Sequence, residues 1–312
     1  MKTGLLWGLL AASALGVAAC QPADQRPRAV LQCLTANPSP ITLPGGPAQI
    51  GSDVAYGEEA PVRTVVVEGF DIDATEVTNA QFARFVAATG YVTMAERKPD
   101  PALIPPEAPP FLFLPGSAVF KTATPDSPYW WAYVPGANWR HPQGPKSTIA
   151  GKENFPVVQI AYADAAAYAR WAGRRLPTET EWEYAASAGA KTLYPWGDER
   201  VPEGQHRANT WQGLFPLQDK AEDGFAGLAP VGCFKANAFG LYDMIGNAWE
   251  WTATPYLDRA RGKETGEAVY TIKGGSFLCA DNYCRRYRAS ARQPQEAGLG
   301  SNHIGFRTVG DP

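Results

Sequence analysis

Residues 274–288 read Gly274-Gly275-Ser276-Phe277-Leu278-Cys279-Ala280-Asp281-Asn282-Tyr283-Cys284-Arg285-Arg286-Tyr287-Arg288, and the rest of the chain is organised around them. Two cysteines lie five positions apart, behind two glycines and a serine and ahead of a basic, tyrosine-rich run. A straight strand sends positions i and i+5 to opposite faces, because its side chains alternate with period two. Ala280-Asp281-Asn282 is turn-prone, so a bend between the cysteines is expected, and a bend brings both sulfurs to one point. Converging thiols suit a structural disulfide, half of a four-ligand zinc site, or a soft ion such as Cu(I). Zinc needs further donors, and the three histidines, His141, His206 and His303, show no finger-like spacing. The residues alone leave the disulfide and the soft metal open.

The chain has 312 residues and no internal repeat, and it reads as one domain from 42 to 312 behind an export segment. A hydrophobic content of 45% is ample for a core. The net charge of −3 offers no broad basic field, which speaks against a nucleic-acid partner. Ten tryptophans among 31 glycines and 28 prolines imply a loop-rich fold pinned by large aromatics. At the N-terminus, Lys2 precedes an apolar stretch over 5–17 that is too short to span a membrane comfortably. It ends in Val17-Ala18-Ala19-Cys20, which resembles a bacterial lipoprotein box. Residues 1–19 are then a lipoprotein signal peptide, and Cys20 carries a lipid that anchors the protein without spanning the membrane. The alternative is an ordinary signal cut after Ala19. By analogy with known sorting, Gln21 behind the cysteine points to the outer membrane, facing the periplasm. Residues 20–41 are rich in Pro, Gln and Ala and read as a flexible tether containing Cys33.

Residues 62–68 are β-branched and read as a strand. Thr78 and Gln81 form a capping box for a helix carrying Phe82, Phe85 and Val86, closed by Gly90. Residues 98–151 read as a long functional loop, 155–160 as a short buried strand, and 164–172 as a helix stopped by Gly173. Thr178 with Glu181 starts a further helix through Trp182 and Tyr184. Beyond Gly189 the Gly, Pro, Asn and Asp punctuation allows only short strands and loops. The fold class is α+β, with few short elements and much irregular structure.

The run GGSFLCADNYCRRYRASAR at 274–292 resembles the active-site signature of the formylglycine-generating enzymes, the sulfatase-modifying-factor family. The resemblance extends from about 45 to 307 through EVTNAQFARFV (76–86), YWWAYVPGANWRHPQGP (129–145), RLPTETEWEYAA (175–186), YPWGDE (194–199), GLYDMIGNAWEWT (240–252) and GFR (305–307). It implies the family's single-domain, C-type-lectin-like fold. It also implies a copper-dependent oxidase that uses O2 to convert the cysteine of a Cys-x-Pro-x-Arg segment, in an unfolded sulfatase, to Cα-formylglycine. Position by position, Cys279 and Cys284 match the copper cysteines, and Ser276 and Tyr283 match polar residues near the reacting sulfur and oxygen. Arg292 matches a residue lining the substrate groove. The chain departs from the family at 293–300, Gln293-Pro294-Gln295-Glu296-Ala297-Gly298-Leu299-Gly300, which puts peptide preference in doubt. His303 stands where a polar groove residue is expected.

The resemblance further implies two structural Ca²⁺ loops, for which oxygen donors are the right chemistry. In one, Asp243 and Glu250 are side-chain ligands and Gly246 and Ala248 carbonyl donors. In the other, Asn209 and Asp223 give side chains, and Thr210 and Phe225 give carbonyls. Ordinary Asx turns explain the same residues without a metal. Cys33 and Cys233 pair in an oxidising compartment, or Cys233 stays free and buried. A monomer is expected. A catalytically silent binding or structural lipoprotein on this fold is the competing reading, and the retained cysteine pair speaks against it. An iron-dependent sulfoxide synthase would need a histidine cluster, and the three histidines are scattered.

Overall fold

The structure is a computed structural model and describes residues 31–36, 38–124, 128–258, 263–264 and 268–312. The signal segment, Cys20 and the first part of the tether lie outside these residues. No helix among the described residues is long and apolar enough to cross a membrane.

The chain opens with β1 (Ile41–Leu43), β2 (Gly46–Ile50), β3 (Arg63–Val67) and β4 (Phe70–Ile72), then α1 (Asn79–Thr89). A hairpin of β5 (Gly116–Phe120) and β6 (Trp131–Pro135) follows, then α2 (Tyr162–Trp171) and α3 (Glu179–Ser187). The last part holds β7 (Trp249–Pro255), β8 (Leu257–Asp258), β9 (Lys263–Glu264), β10 (Val269–Lys273), β11 (Arg292–Glu296), β12 (Ile304–Gly305) and β13 (Val309–Gly310). The central sheet has the order β11-β10-β7-β12, antiparallel except for the β12–β7 pair. A second sheet, β1-β4-β13, ties the chain's end to its beginning. β2 pairs with β3, β5 with β6, and β8 with β9.

Local chemistry sets the helices. Thr78 Oγ1 accepts the Gln81 N–H and Gln81 Oε1 accepts the Thr78 N–H, while Gly90 closes α1 at φ 66°. Thr178 and Glu181 repeat that box at α3. α3 packs against β10 and β7. The main core is aromatic: the Phe82 ring centroid lies 5.2 Å from Trp139, 5.3 Å from Phe85 and 5.9 Å from Tyr168. Trp249, Trp251 and Phe306 complete it. Charges buried at its edges are paired, because an unpaired buried charge is costly. Lys273 Nζ meets Glu183 Oε2 at 2.7 Å, Arg292 Nε meets Glu179 Oε1 at 2.7 Å, and Arg307 Nε meets Glu250 Oε2 at 2.7 Å.

Three expectations change. The stretch 98–151 is not one loop, since it contains the β5–β6 hairpin; the strands are joined by ten residues, 121–130, longer than the two-to-five-residue loops by which a hairpin is usually read. Residues 155–160 are mostly buried but form no strand. The Val157 N–H bonds to Val77 O and the Gln159 N–H to Ser301 O, so the pairing partner changes within three residues, and Gln159 sits at φ 64°. The flexible tether ends sooner than residue 41: Cys33 is disulfide-bonded to Cys233, and Leu31 and Cys33 pack on Ala229 and Phe234.

Candidate active site

β10 and β11 are neighbours in the central sheet, and the excursion between them, 274–291, carries both cysteines. It leaves β10 through Gly274 and Gly275, at φ 96° and 79°. A Cβ on Gly275 would stand 2.7 Å from Arg286 O, so only glycine lets the loop fold back on itself there. Turns follow: the Cys279 N–H bonds to Ser276 O at 2.9 Å and the Cys284 N–H to Ala280 O at 2.9 Å. The expected bend is present, and it brings the two Sγ atoms to 3.8 Å. That is far beyond a disulfide bond of about 2.05 Å. Both thiols are free, Cys279 buried and Cys284 half-buried.

The two thiols are not equivalent. The hydrogen bond from Cys279 pulls Cys284 down to about 6, helped by Arg286, whose Nη1 lies 3.8 Å from its sulfur. Burial, and its role as donor to Cys284, push Cys279 well above the usual thiol range. Cys284 is therefore the more readily ionised of the two.

The pair opens onto a cleft of about 710 Å³. Trp131 and Tyr133 of β6 form one wall, and Gln293, Gln295 and Leu299 form another, so the divergent 293–300 segment does face the cleft. Ser276 Oγ accepts the Leu278 N–H at 3.2 Å and lies 3.1 Å from His303 Nδ1. Burial pushes His303 down to about 3, so its imidazole is neutral, and its ring packs on Trp131 at 5.0 Å. Tyr283 is 58% exposed at the rim, its ring stacked on Phe215 at 4.5 Å. Arg292 does not line the cleft. It is 1% exposed, forked onto Glu179 through Nε at 2.7 Å and Nη2 at 3.1 Å, and its Nη1 donates to Leu257 O. Its guanidinium needs a buried partner, and that partner draws it beneath the sheet instead of into the groove.

Two features escaped the sequence. Ser301 lines the cleft with a buried hydroxyl that has no partner among the described residues. Glu58 holds Arg286 through Nε at 2.9 Å and Nη2 at 2.6 Å, across 228 positions of chain. No local signal marks either one.

The model of the sulfatase-modifying factor enzyme 1-like domain matches residues 26–312. The chain belongs to this family. A formylglycine-generating enzyme of Mycobacterium tuberculosis is 51% identical over 292 residues, spanning 87% of this chain and 97% of that protein. A mouse relative named as an inactive Cα-formylglycine-generating enzyme 2 is 40% identical over 277 residues, 87% of this chain and 85% of that protein. Among solved structures, PvdO from Pseudomonas aeruginosa superposes with a TM-score of 0.60 at 24% identity, covering 88% of this chain and 94% of that one, which shows the shared fold.

Among the described residues no group of three or more His, Cys, Asp or Glu side chains converges as a metal site. The cleft offers two sulfurs, one already inclined to ionise, and that donor set fits a soft monovalent ion. At the 243–250 loop the fit fails for Glu250. Arg307 takes its Oε2 through Nε at 2.7 Å and its Oε1 through Nη2 at 2.8 Å, and Trp182 Nε1 adds a third bond. Asp243 Oδ2 is occupied by the Gly232 N–H, and the Asp243 carboxyl is raised to about 6, chiefly by burial. Gly246 and Ala248 lie between these two engaged acids. The 209–225 loop fits better. Asn209 Oδ1 is buried without a partner among the described residues, and the Gln212 amide N–H group reaches both Thr210 O and Asp223 Oδ2, the kind of position a cation would take. Phe225 follows Asp223 closely, its N–H bonded to Asp223 Oδ1 at 3.0 Å.

Proposed function

We propose that this chain is a formylglycine-generating oxidase acting on a cysteine within a Cys-x-Pro-x-Arg segment of an unfolded sulfatase. The observation that carries the reading is the pair of free thiols, 3.8 Å apart at the floor of an open cleft. Similarity alone does not decide activity, since a relative named inactive is 40% identical. Two free thiols facing each other on an open cleft are a chemical feature, and a silent binding protein has no use for them.

Cys279 and Cys284 would hold Cu(I), which supplies the means of activating O2 that no side chain has. The balance is one peptidyl CH2–SH, one O2 and two reducing equivalents from an external thiol, giving the aldehyde, hydrogen sulfide and water. The chain's own residues do the rest. The bend at 280–284 keeps the sulfurs 3.8 Å apart. Ser276 accepts the Leu278 N–H and shares a hydrogen bond with Nδ1 of neutral His303, so a fixed polar pair stands beside Cys279. Trp131, Tyr133 and Phe215 wall the cleft and limit water at the reacting sulfur. Tyr283 at the rim meets the incoming peptide. Calcium at 209–225 is structural in this reading, tying down a segment with no helix or strand of its own. Cys20 carries the lipid, and the enzyme meets exported, still unfolded sulfatase in the periplasm.

The test is turnover. Wild-type protein, Cu(I), air, a thiol reductant and a synthetic Cys-x-Pro-x-Arg peptide are expected to yield the peptide aldehyde, detected by mass spectrometry. Copper bound with no aldehyde formed would refute the reading.

A further inference from the structure

We propose that Arg286, aimed by Glu58 and Tyr56, is the counter-charge of the Cys279–Cys284 metal site. The inference rests on the copper reading above and adds a residue to it.

Two thiolates and one monovalent cation sum to a net charge of −1. Cys279 is 2% exposed, so much of that charge lies away from water, and a buried net charge needs a partner. Arg286 is placed to be that partner. It lines the cleft, and its Nη1 lies 3.8 Å from Cys284 Sγ. The rest of the guanidinium is committed elsewhere. Nε and Nη2, one edge of the fork, both go to Glu58 Oε1, at 2.9 and 2.6 Å. One flat face lies over the Tyr56 ring, 4.3 Å from its centroid. Tyr56 is itself fixed, its hydroxyl accepting the Arg285 N–H at 3.2 Å. Nη1 is thus the part of the fork left for the sulfur. Glu58 carries a negative charge of its own, but it sits on the opposite edge, so the sulfur meets the positive end of the ion pair.

The arrangement also explains why a turn from the start of the domain is docked on the cysteine loop. The single 3₁₀ turn Gly57–Glu59 supplies Glu58 to Arg286 and Glu59 to Arg288. The Arg288–Glu59 pair is buried and holds the turn in place, while the Arg286–Glu58 pair is partly exposed and Arg286 lines the cleft. Glu58 and Tyr56 are positioning residues, and Arg286 is the group that touches the thiolate.

Anaerobic competition for Cu(I) against a chromogenic chelator reads the effect without turnover. Arg286→Gln keeps a donor for Glu58 but removes the charge, and Arg286→Met removes both. Each is expected to weaken Cu(I) binding at least about tenfold, a floor below what unit charges at this separation give at a protein-like dielectric. Arg286→Lys keeps the charge and is expected to stay near wild type. Arg285→Met removes a charge one position away, on an exposed side chain whose Nε bonds to Asp281 O, and is expected to change nothing. Arg286→Gln and Arg286→Lys binding alike, or Arg286→Gln matching wild type, overturns the proposal. A wild-type protein that binds no Cu(I) overturns the copper reading beneath it, and wild type alone tells the two failures apart.

Discussion

Arg292→Met separates a groove residue from a structural one. Arg292 is 1% exposed and forks onto Glu179, which is itself 4% exposed. Breaking a buried pair by removing one partner costs about 3–5 kcal/mol, because the other charge is stranded. Here Lys273 Nζ lies 4.0 Å from Glu179 Oε1, although its closer bond is to Glu183 at 2.7 Å, so the stranded carboxylate keeps part of its compensation. The expected loss is therefore at the low end, about 3 kcal/mol. In a domain of this size each kcal/mol shifts the melting temperature by about 2–4 °C, so the variant melts about 6–12 °C lower. Thermal unfolding followed by circular dichroism measures this, and peptide KM well below the transition measures the groove. The KM is expected to be unchanged within about twofold, since Arg292 is not among the residues that line the cleft. Adding Glu179→Gln removes the stranded charge and is expected to restore about half of the loss. A variant that melts like wild type while its KM rises tenfold would refute the structural reading and put Arg292 in the groove.

Other outcomes follow from the same geometry. Alkylation with iodoacetamide at pH 7 is expected to label Cys284 before Cys279, because Cys284 is drawn down to about 6 by its hydrogen bond from Cys279 while Cys279 is pushed up by burial; peptide mapping that finds Cys279 labelled first contradicts this. His303 takes its proton near pH 3 when folded and near 6.5 when unfolded, so below 6.5 the unfolded chain binds more protons and stability falls. Wild type should therefore lose stability relative to His303→Gln by up to about 1.4 kcal/mol per pH unit between pH 6.5 and 5, and equal slopes would sink the assignment. Calcium at about 100 times its dissociation constant should stabilise the protein by about 2.7 kcal/mol. Asn209→Ala should abolish that gain; a gain retained in Asn209→Ala and lost in Glu250→Gln would move the ion to the other loop.

Much of the scaffold was legible because its signals are local. The capping boxes at Thr78 and Thr178, and the glycines at 90 and 173, each act within one helical turn, and α1, α2 and α3 lie where they point. The bend between Cys279 and Cys284 was legible for the same reason. What stayed hidden depends on distant partners. Arg292 reads as a groove residue until Glu179, 113 positions earlier, is seen beneath it. Glu250 reads as a calcium ligand until Arg307 closes on both of its oxygens. The β5–β6 hairpin was masked by a ten-residue connection, too long for the short-loop hairpin signal. The segment 155–160 has the apolar content of a strand, but its hydrogen bonds go to two different parts of the chain. The 293–300 segment, legible as a departure from the family, puts Gln293, Gln295 and Leu299 on the cleft wall.

The central claim is that the two free cysteines perform the oxidation, and three proteins assayed side by side test it most directly. Wild type, Cys279→Ser and Cys284→Ser are given the same Cys-x-Pro-x-Arg peptide, Cu(I), air and thiol reductant, after circular dichroism shows that all three are folded. Aldehyde formed by wild type and by neither variant is the predicted result. Aldehyde formed at a comparable rate by either serine variant would contradict the account.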